Sequence, residues 1–355
     1  MDTLTQAALG AAVGGAVLGR RLGRKAVLLG AALGTLPDLD ALIDYGDAVA
    51  NVTRHRGFSH SLFLLTGLAT LLAVLARRLA VSRDISLGRW WSFFALCLLT
   101  HPLLDALTTY GTQLWWPLDV RPTAWPVVFI IDPLVTLALL VGVGTALATG
   151  NGQRGPRWGL ALTGLYLLLA VGAKAWVEQR LEPVLAAEGL EHAPRLVQPT
   201  PFNILLWRAT LIDGDRHHEA LIGLFDGDVP PALETYTRGA ELAPAALATR
   251  HGARLAWFAG PFLRYEVQAH DGEPTLVATD LRLGFPGFFP FRFTLATRAD
   301  ERWQPVASSE QLPAPRRADR EALSRLAGRL IGSEPRLCTS HFVAPEWRLS
   351  IPEGC

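Results

Sequence analysis

Apolar residues fill the first half of this chain in runs parted by short polar connections, whereas polar and proline-rich sequence fills the second half. Six apolar runs stand out, at residues 4–19, 26–36, 61–76, 90–104, 134–149 and 158–173. Most fall short of the roughly 20 residues that a perpendicular membrane span requires. The third, fifth and sixth extend at their ends and read best as spans. The first two are short and rich in Gly and Ala, which allows close helix contact in lipid. They predict a tight hairpin or segments that only partly cross, with a buried soluble hairpin as the alternative.

Beyond residue 177 the pattern changes. Residues 207–213, 219–225, 254–258, 263–269 and 275–283 read as β-strands, separated by turn signals such as Asp213-Gly214-Asp215 and Asp271-Gly272. Residues 318–331 read as a helix with Asp319 and Glu321 near its start. The expected fold is therefore an α-helical polytopic membrane domain, residues 1–176, followed by a mainly β soluble domain, residues 177–355, built as a twisted antiparallel sheet or small sandwich.

Charge sharpens this division. Glutamate is absent until Glu178, and the formal net charge of +1 gives no reason to expect a nucleic-acid partner. Basic residues cluster in the connections 20–25, 77–89 and 154–157. Cytoplasmic loops attract Lys and Arg, so these three are placed inside. Residues 37–60, 105–133 and everything after Lys174 then face outward, which makes the soluble domain periplasmic. Arg54 and Arg56 go against the trend. Asp2 precedes the first apolar run and the basic cluster follows it, which reads as a first span rather than a secretory signal. Of three cysteines, Cys97 lies in an apolar run; Cys338 and Cys355 can pair if they face an oxidising compartment.

The chemistry concentrates in three segments at the ends of apolar runs: Pro37-Asp38-Leu39-Asp40, His55-Arg56-Gly57-Phe58-Ser59-His60 and His101-Pro102-Leu103-Leu104-Asp105. Ionisable groups there are costly unless solvated or paired, so they are functional suspects. Asp38 and Asp40 flank one residue, and His101 and Asp105 share a helix face at i, i+4. Pro102 fits this if it stands at a helix start. Imidazole with carboxylate suits Zn²⁺, Mn²⁺ or Fe²⁺. Asp38, Asp40, His55, His60, His101 and Asp105 exceed the needs of one tetrahedral ion, so one or two divalent metals are expected, zinc or manganese foremost. The alternative for each alone is a turn, a cap or an interfacial hydrogen-bonder.

These segments, with Met1-Asp2-Thr3-Leu4-Thr5-Gln6-Ala7 and Ala106-Leu107-Thr108-Thr109-Tyr110-Gly111-Thr112-Gln113, resemble the bacterial membrane-bound metal-dependent hydrolases, the YdjM-like group. Ile131-Asp132-Pro133 and Pro201-Phe202-Asn203 also match. The resemblance covers about the first 135 residues well. It implies a metal-site protein of the bacterial inner membrane more firmly than any given reaction. Many members carry His where this chain has Gln6, so Gln6 is expected to hydrogen-bond a ligand or bound water.

Asp132 is either a further ligand or the N-cap that Asp-Pro commonly provides. His217 and His218 read as part of a solvated turn, and His192, His251, His270 and His341 are given no role. Trp115-Trp116-Pro117 and Trp125-Pro126 read as interfacial anchors, with a lipid-contacting rim beside the site as the alternative. Arg54 or Arg56 can neutralise a phosphate, though headgroup anchoring is the plainer reading. The leading function is a membrane-bound metal-dependent hydrolase acting on a phosphoester or ester at the membrane surface through a metal-activated water, with a lipid or lipid-linked substrate suggested by location. The alternatives are a metal-binding transport or sensing protein and a membrane anchor for an interaction domain.

Overall fold

The structure, a computed structural model, describes residues 1–79, 84–150, 152–300, 302–314, 320–332, 337–353 and 355. Ten helices are described in chain order: α1 (Thr3–Leu22), α2 (Arg24–Thr35), α3 (Ala48–Arg54), α4 (Leu62–Arg78), α5 (Leu87–Asp105), α6 (Pro133–Thr149), α7 (Arg154–Glu188), α8 (Ala243–Leu247), α9 (Arg250–Ala259) and α10 (Arg320–Leu330). The strands are β1 (Arg195–Pro199), β2 (Leu206–Asp213), β3 (Arg216–Gly223), β4 (Glu234–Thr237), β5 (Leu263–His270), β6 (Glu273–Asp280), β7 (Arg292–Ala299), β8 (Arg302–Pro305), β9 (Gln311–Leu312) and β10 (Arg348–Ser350). Contacts divide the chain into two compact units. One holds Met1–Ile43, His55–Val171 and Pro201–Asn203; the other holds Asp44–Arg54, Gly172–Thr200 and Ile204–Cys355.

The first unit is helical. Asp2 caps α1 by accepting from the Thr5 amide, and Arg20 and Arg21 close its last turn, where cations favour the helix dipole. The small residues let α1 and α2 touch backbone to backbone: a Cβ on Gly10 would lie 2.2 Å from Gly30 O, and one on Gly34 2.5 Å from Gln6 O. Ser61 and Ser86 cap α4 and α5. Asp132 caps α6, accepting from the amides of Leu134 and Val135, with Pro133 at the first helical position.

By length and composition α7 can cross a membrane, and the bent pair Ala48–His60 with Leu62–Arg78 makes up to two such spans. Pro133–Thr149 is apolar but shorter. Helices α1 and α5 are long enough, but glycines and Arg20 in one, and Arg89 and His101 in the other, dilute their apolar character.

The second unit is mainly β. One antiparallel sheet runs β1-β2-β3-β4-β10, and a second runs β5-β6-β7-β8 with β9 also on β7. The Asp271-Gly272 turn joins β5 to β6 with positive φ at both residues, as a primed hairpin turn demands. Its core gathers Leu255, Ala259, Leu263, Tyr265, Leu276 and Phe293. Cys338 and Cys355 form a disulfide. Residues 254–258 are not a strand but lie within α9, where Leu255, Phe258 and Ala259 are buried at helical spacing. His217 and His218 are not in a solvated turn: both are buried on β3, opposite Tyr236 and Thr235 of β4. Of the helix expected at 318–331, α10 covers most, while Ala318 and Asp319 lie outside the described residues.

Candidate metal centre

Four side chains of the helical unit converge. Asp38 comes from a 3₁₀ turn, Pro37–Leu42, that follows α2. His60 ends a second 3₁₀ turn, Phe58–His60, just before α4. His101 and Asp105 sit in the last turns of α5. Pro102 is not at a helix start but inside α5, near its end. The helix continues through it, so His101 and Asp105 keep the i, i+4 relation.

The four donors lie within 4.8 Å of one another. His60 Nε2 is 3.1 Å from His101 Nε2, 3.2 Å from Asp105 Oδ2 and 3.6 Å from Asp38 Oδ1. His101 Nε2 is 3.3 Å from Asp38 Oδ1 and 3.5 Å from Asp105 Oδ2. Donors at about 2.0–2.2 Å from one tetrahedral ion stand about 3.3–3.6 Å apart, which is close to the spacing found.

Hydrogen-bond direction makes the same point. His101 Nδ1 lies 2.6 Å from the Gly34 carbonyl, which only accepts, so Nδ1 carries the proton. Ser59 Oγ donates its hydrogen to Asp40 Oδ2 at 2.6 Å and therefore accepts from His60 Nδ1 at 2.9 Å. In their neutral forms the two imidazoles therefore turn unprotonated Nε2 atoms toward each other at 3.1 Å. Asp105 Oδ2, buried in the same place, has no hydrogen-bond partner. Lone pairs that face one another beside the Asp38 and Asp105 carboxylates favour a cation among the four donors, with Arg56 pairing Asp105 from one side. The donor set fits a divalent metal.

The surroundings fix these donors. Gln6 Nε2 donates to Asp105 Oδ1 at 2.9 Å and to the His101 carbonyl at 3.2 Å, so Gln6 stands behind a ligand. The Met1 amino group is also buried against Asp105 Oδ1. Asp40 and His55 are outside the four-donor group. They pair with each other, His55 Nδ1 at 2.9 Å from Asp40 Oδ1, which leaves Nε2 as the unprotonated nitrogen of a neutral His55. Asp40 Oδ2 further accepts from the Arg56 amide at 2.9 Å. Burial raises Asp38, but His101 and His60 beside it outweigh burial and hold its carboxyl below the usual range. Asp40 is likewise raised by burial and lowered further by His55 and Ser59, with the same net direction.

Arg56 is not an exposed headgroup anchor. It is 2% exposed, with Nε 3.2 Å from Asp105 Oδ2 and its guanidinium 5.0 Å over the Tyr110 ring. Its φ of 59° is a left-handed conformation that bulky residues adopt only where the surroundings enforce it. Arg54 belongs to the other unit, over Tyr45. Asp132 is spent on the α6 cap and on Tyr166, whose hydroxyl donates at 2.8 Å. The role of Ser59 and the pairing of Arg56 with Asp105 escape sequence reading, although both residues lie within the His55–His60 motif and Arg56 reads there as a candidate for a phosphate; Ser-His adjacency is the one signal that could have found Ser59.

Residues 1–177 match the family model described as YdjM inner membrane protein. The chain is 38% identical over 93 residues to "Inner membrane protein YbcI" of Escherichia coli (strain K12), covering 26% of this chain and 52% of that protein. It is 23% identical over 145 residues to "Uncharacterized protein YfhP" of Bacillus subtilis (strain 168), covering 41% of this chain and 42% of that protein. The chain thus spans about half the length of each relative. No solved structure matches the chain.

Proposed function

We infer that this chain, whose residues 1–177 belong to the YdjM inner membrane protein family, is a membrane-bound metal-dependent hydrolase acting on a phosphoester or ester at the membrane surface. The observation that carries this reading is the convergence of Asp38 Oδ1, His60 Nε2, His101 Nε2 and Asp105 Oδ2 with both imidazole tautomers fixed. Nitrogen and oxygen donors in this number suit zinc, with manganese next. Such an ion, when bound, supplies Lewis acidity and makes water a nucleophile near neutral pH.

The chain's own residues do the rest. Ser59 and the Gly34 carbonyl hold the two imidazoles in register. Arg56, kept beside Asp105, offers positive charge to an anionic phosphoryl group. His55, oriented by Asp40, accepts a proton at Nε2 on the more open side of the site. The basic connections support a multi-pass arrangement in the bacterial inner membrane, and the Cys338–Cys355 disulfide supports a periplasmic position for the β-rich unit.

The test is a panel of phosphomonoesters, phosphodiesters and carboxylic esters offered to zinc- or manganese-loaded protein in detergent. Turnover of at least one class is expected, lost on chelation and in His101→Ala. Full metal occupancy with no turnover across the panel would refute the hydrolase reading. It would favour a metal-binding sensor or transporter, a second reading that draws on one observation: the side chains of His60, His101 and Asp105 are at most 1% exposed.

A further inference from the structure

Access to the four-donor site is one-sided. Of the six Asp and His side chains around it, only Asp38, at 13%, and His55, at 24%, show surface. A reacting group must enter past these two. The segments that carry them are lined with exposed apolar side chains. Leu39 lies between Asp38 and Asp40, and Leu42, 83% exposed, closes the same turn. Phe58 opens the turn that ends at His60 and meets Trp116 edge-on at 6.4 Å. Phe63 and Trp115 pair beside them at 6.3 Å.

What sets these apolar side chains apart is their place, on or beside the two turns that carry Asp38 and His60 and flank the open side, where they offer an apolar rim to whatever enters. In a chain of an inner membrane family the bilayer provides the occupant, and Trp beside Phe and Leu is the composition of the interfacial layer. We propose that the site takes an amphiphile from the adjoining leaflet, its acyl chain lying on Leu39, Leu42, Phe58 and Trp116 and its ester or phosphoester reaching the donors past Asp38. This rests on the hydrolase reading and names its substrate class: a lipid whose apolar chain adjoins the scissile group.

The test uses binding, so that it can fail separately from hydrolysis. Zinc-loaded full-length protein in one detergent is titrated with n-alkyl phosphonates from butyl to decyl. In the wild type Kd should fall about two- to fourfold for each added methylene that the rim buries. In Leu39→Ser/Leu42→Ser, and separately in Phe58→Ser, the dependence on chain length should drop to less than half at unchanged zinc content. Partition into micelles is common to all variants and cancels in the comparison. Equal Kd for butyl and decyl, an unchanged slope in both variants, or no binding at any length overturns the proposal. A chain-length slope that the variants lose, together with no ester turned over, upholds the amphiphile site and removes the hydrolase.

Discussion

Replacing Ser59 with Ala isolates what holds His60 in its metal-binding form. Ser59 Oγ spends its one hydrogen on Asp40 Oδ2 at 2.6 Å and accepts from His60 Nδ1 at 2.9 Å. Without it, His60 loses the partner that keeps the proton on Nδ1, and part of its population protonates Nε2 or turns away. Asp40 keeps its bonds from His55 and the Arg56 amide, so the turn itself stays tied. Loss of the outer partner of a ligating histidine typically costs about 10- to 100-fold in metal affinity, or about 1.4–2.7 kcal/mol. Zinc competition against a chromophoric chelator at neutral pH measures this directly. Ser59→Thr should recover most of the affinity. Ser61→Ala is the control two residues away: it removes the α4 cap and a bond to the Trp116 carbonyl. It should cost about 1 kcal/mol of stability and leave zinc affinity alone. Zinc binding by Ser59→Ala within twofold of wild type would refute the tautomer reasoning, as would equal weakening by Ser61→Ala.

Three further outcomes are expected. Arg56→Met should keep its metal and lose roughly 100-fold in the rate on a phosphoester, read by steady-state kinetics beside elemental analysis. Asp132→Ala should lower stability by about 1 kcal/mol through loss of the α6 cap with unchanged metal content; loss of metal would make Asp132 a ligand. His217 is pushed well below its ordinary value of 6.5 by burial, then by Arg264 and Arg208. The unfolded chain therefore takes up a proton that the folded one refuses. Stability from His217 is full above about pH 6.5 and falls by about 1.4 kcal/mol per pH unit below it. Thermal melts between pH 7 and pH 5 should show a shallower slope in His217→Phe than in wild type.

The candidate ligands could be read from the sequence because ionisable residues at the ends of apolar runs are costly and so draw attention. Which of them share one centre could not be read. Asp38 and Asp40 differ by two positions, yet the 3₁₀ turn sends one to the histidines and the other to His55, Arg56 and Ser59. Likewise Arg56 resembles any basic residue near a membrane until its left-handed backbone turns it in toward Asp105. The hairpin strands β2, β3, β5 and β6 follow from β-like runs bounded by Asp-Gly turns. In α9 the apolar spacing suits a helix, but the short Arg254–Phe258 run invites a strand until Leu255 and Phe258 are seen on one buried face. His217 and His218 escaped because a turn motif precedes them, while their burial depends on β4, some twenty residues on.

The most direct measurement is the metal content of the detergent-purified full chain, wild type beside His60→Ala/His101→Ala, by elemental mass spectrometry after incubation with Zn²⁺ or Mn²⁺ and removal of the excess. The four-donor centre predicts close to one equivalent in the wild type and almost none in the double variant. Equal metal in both, or none in the wild type with either ion, would contradict it.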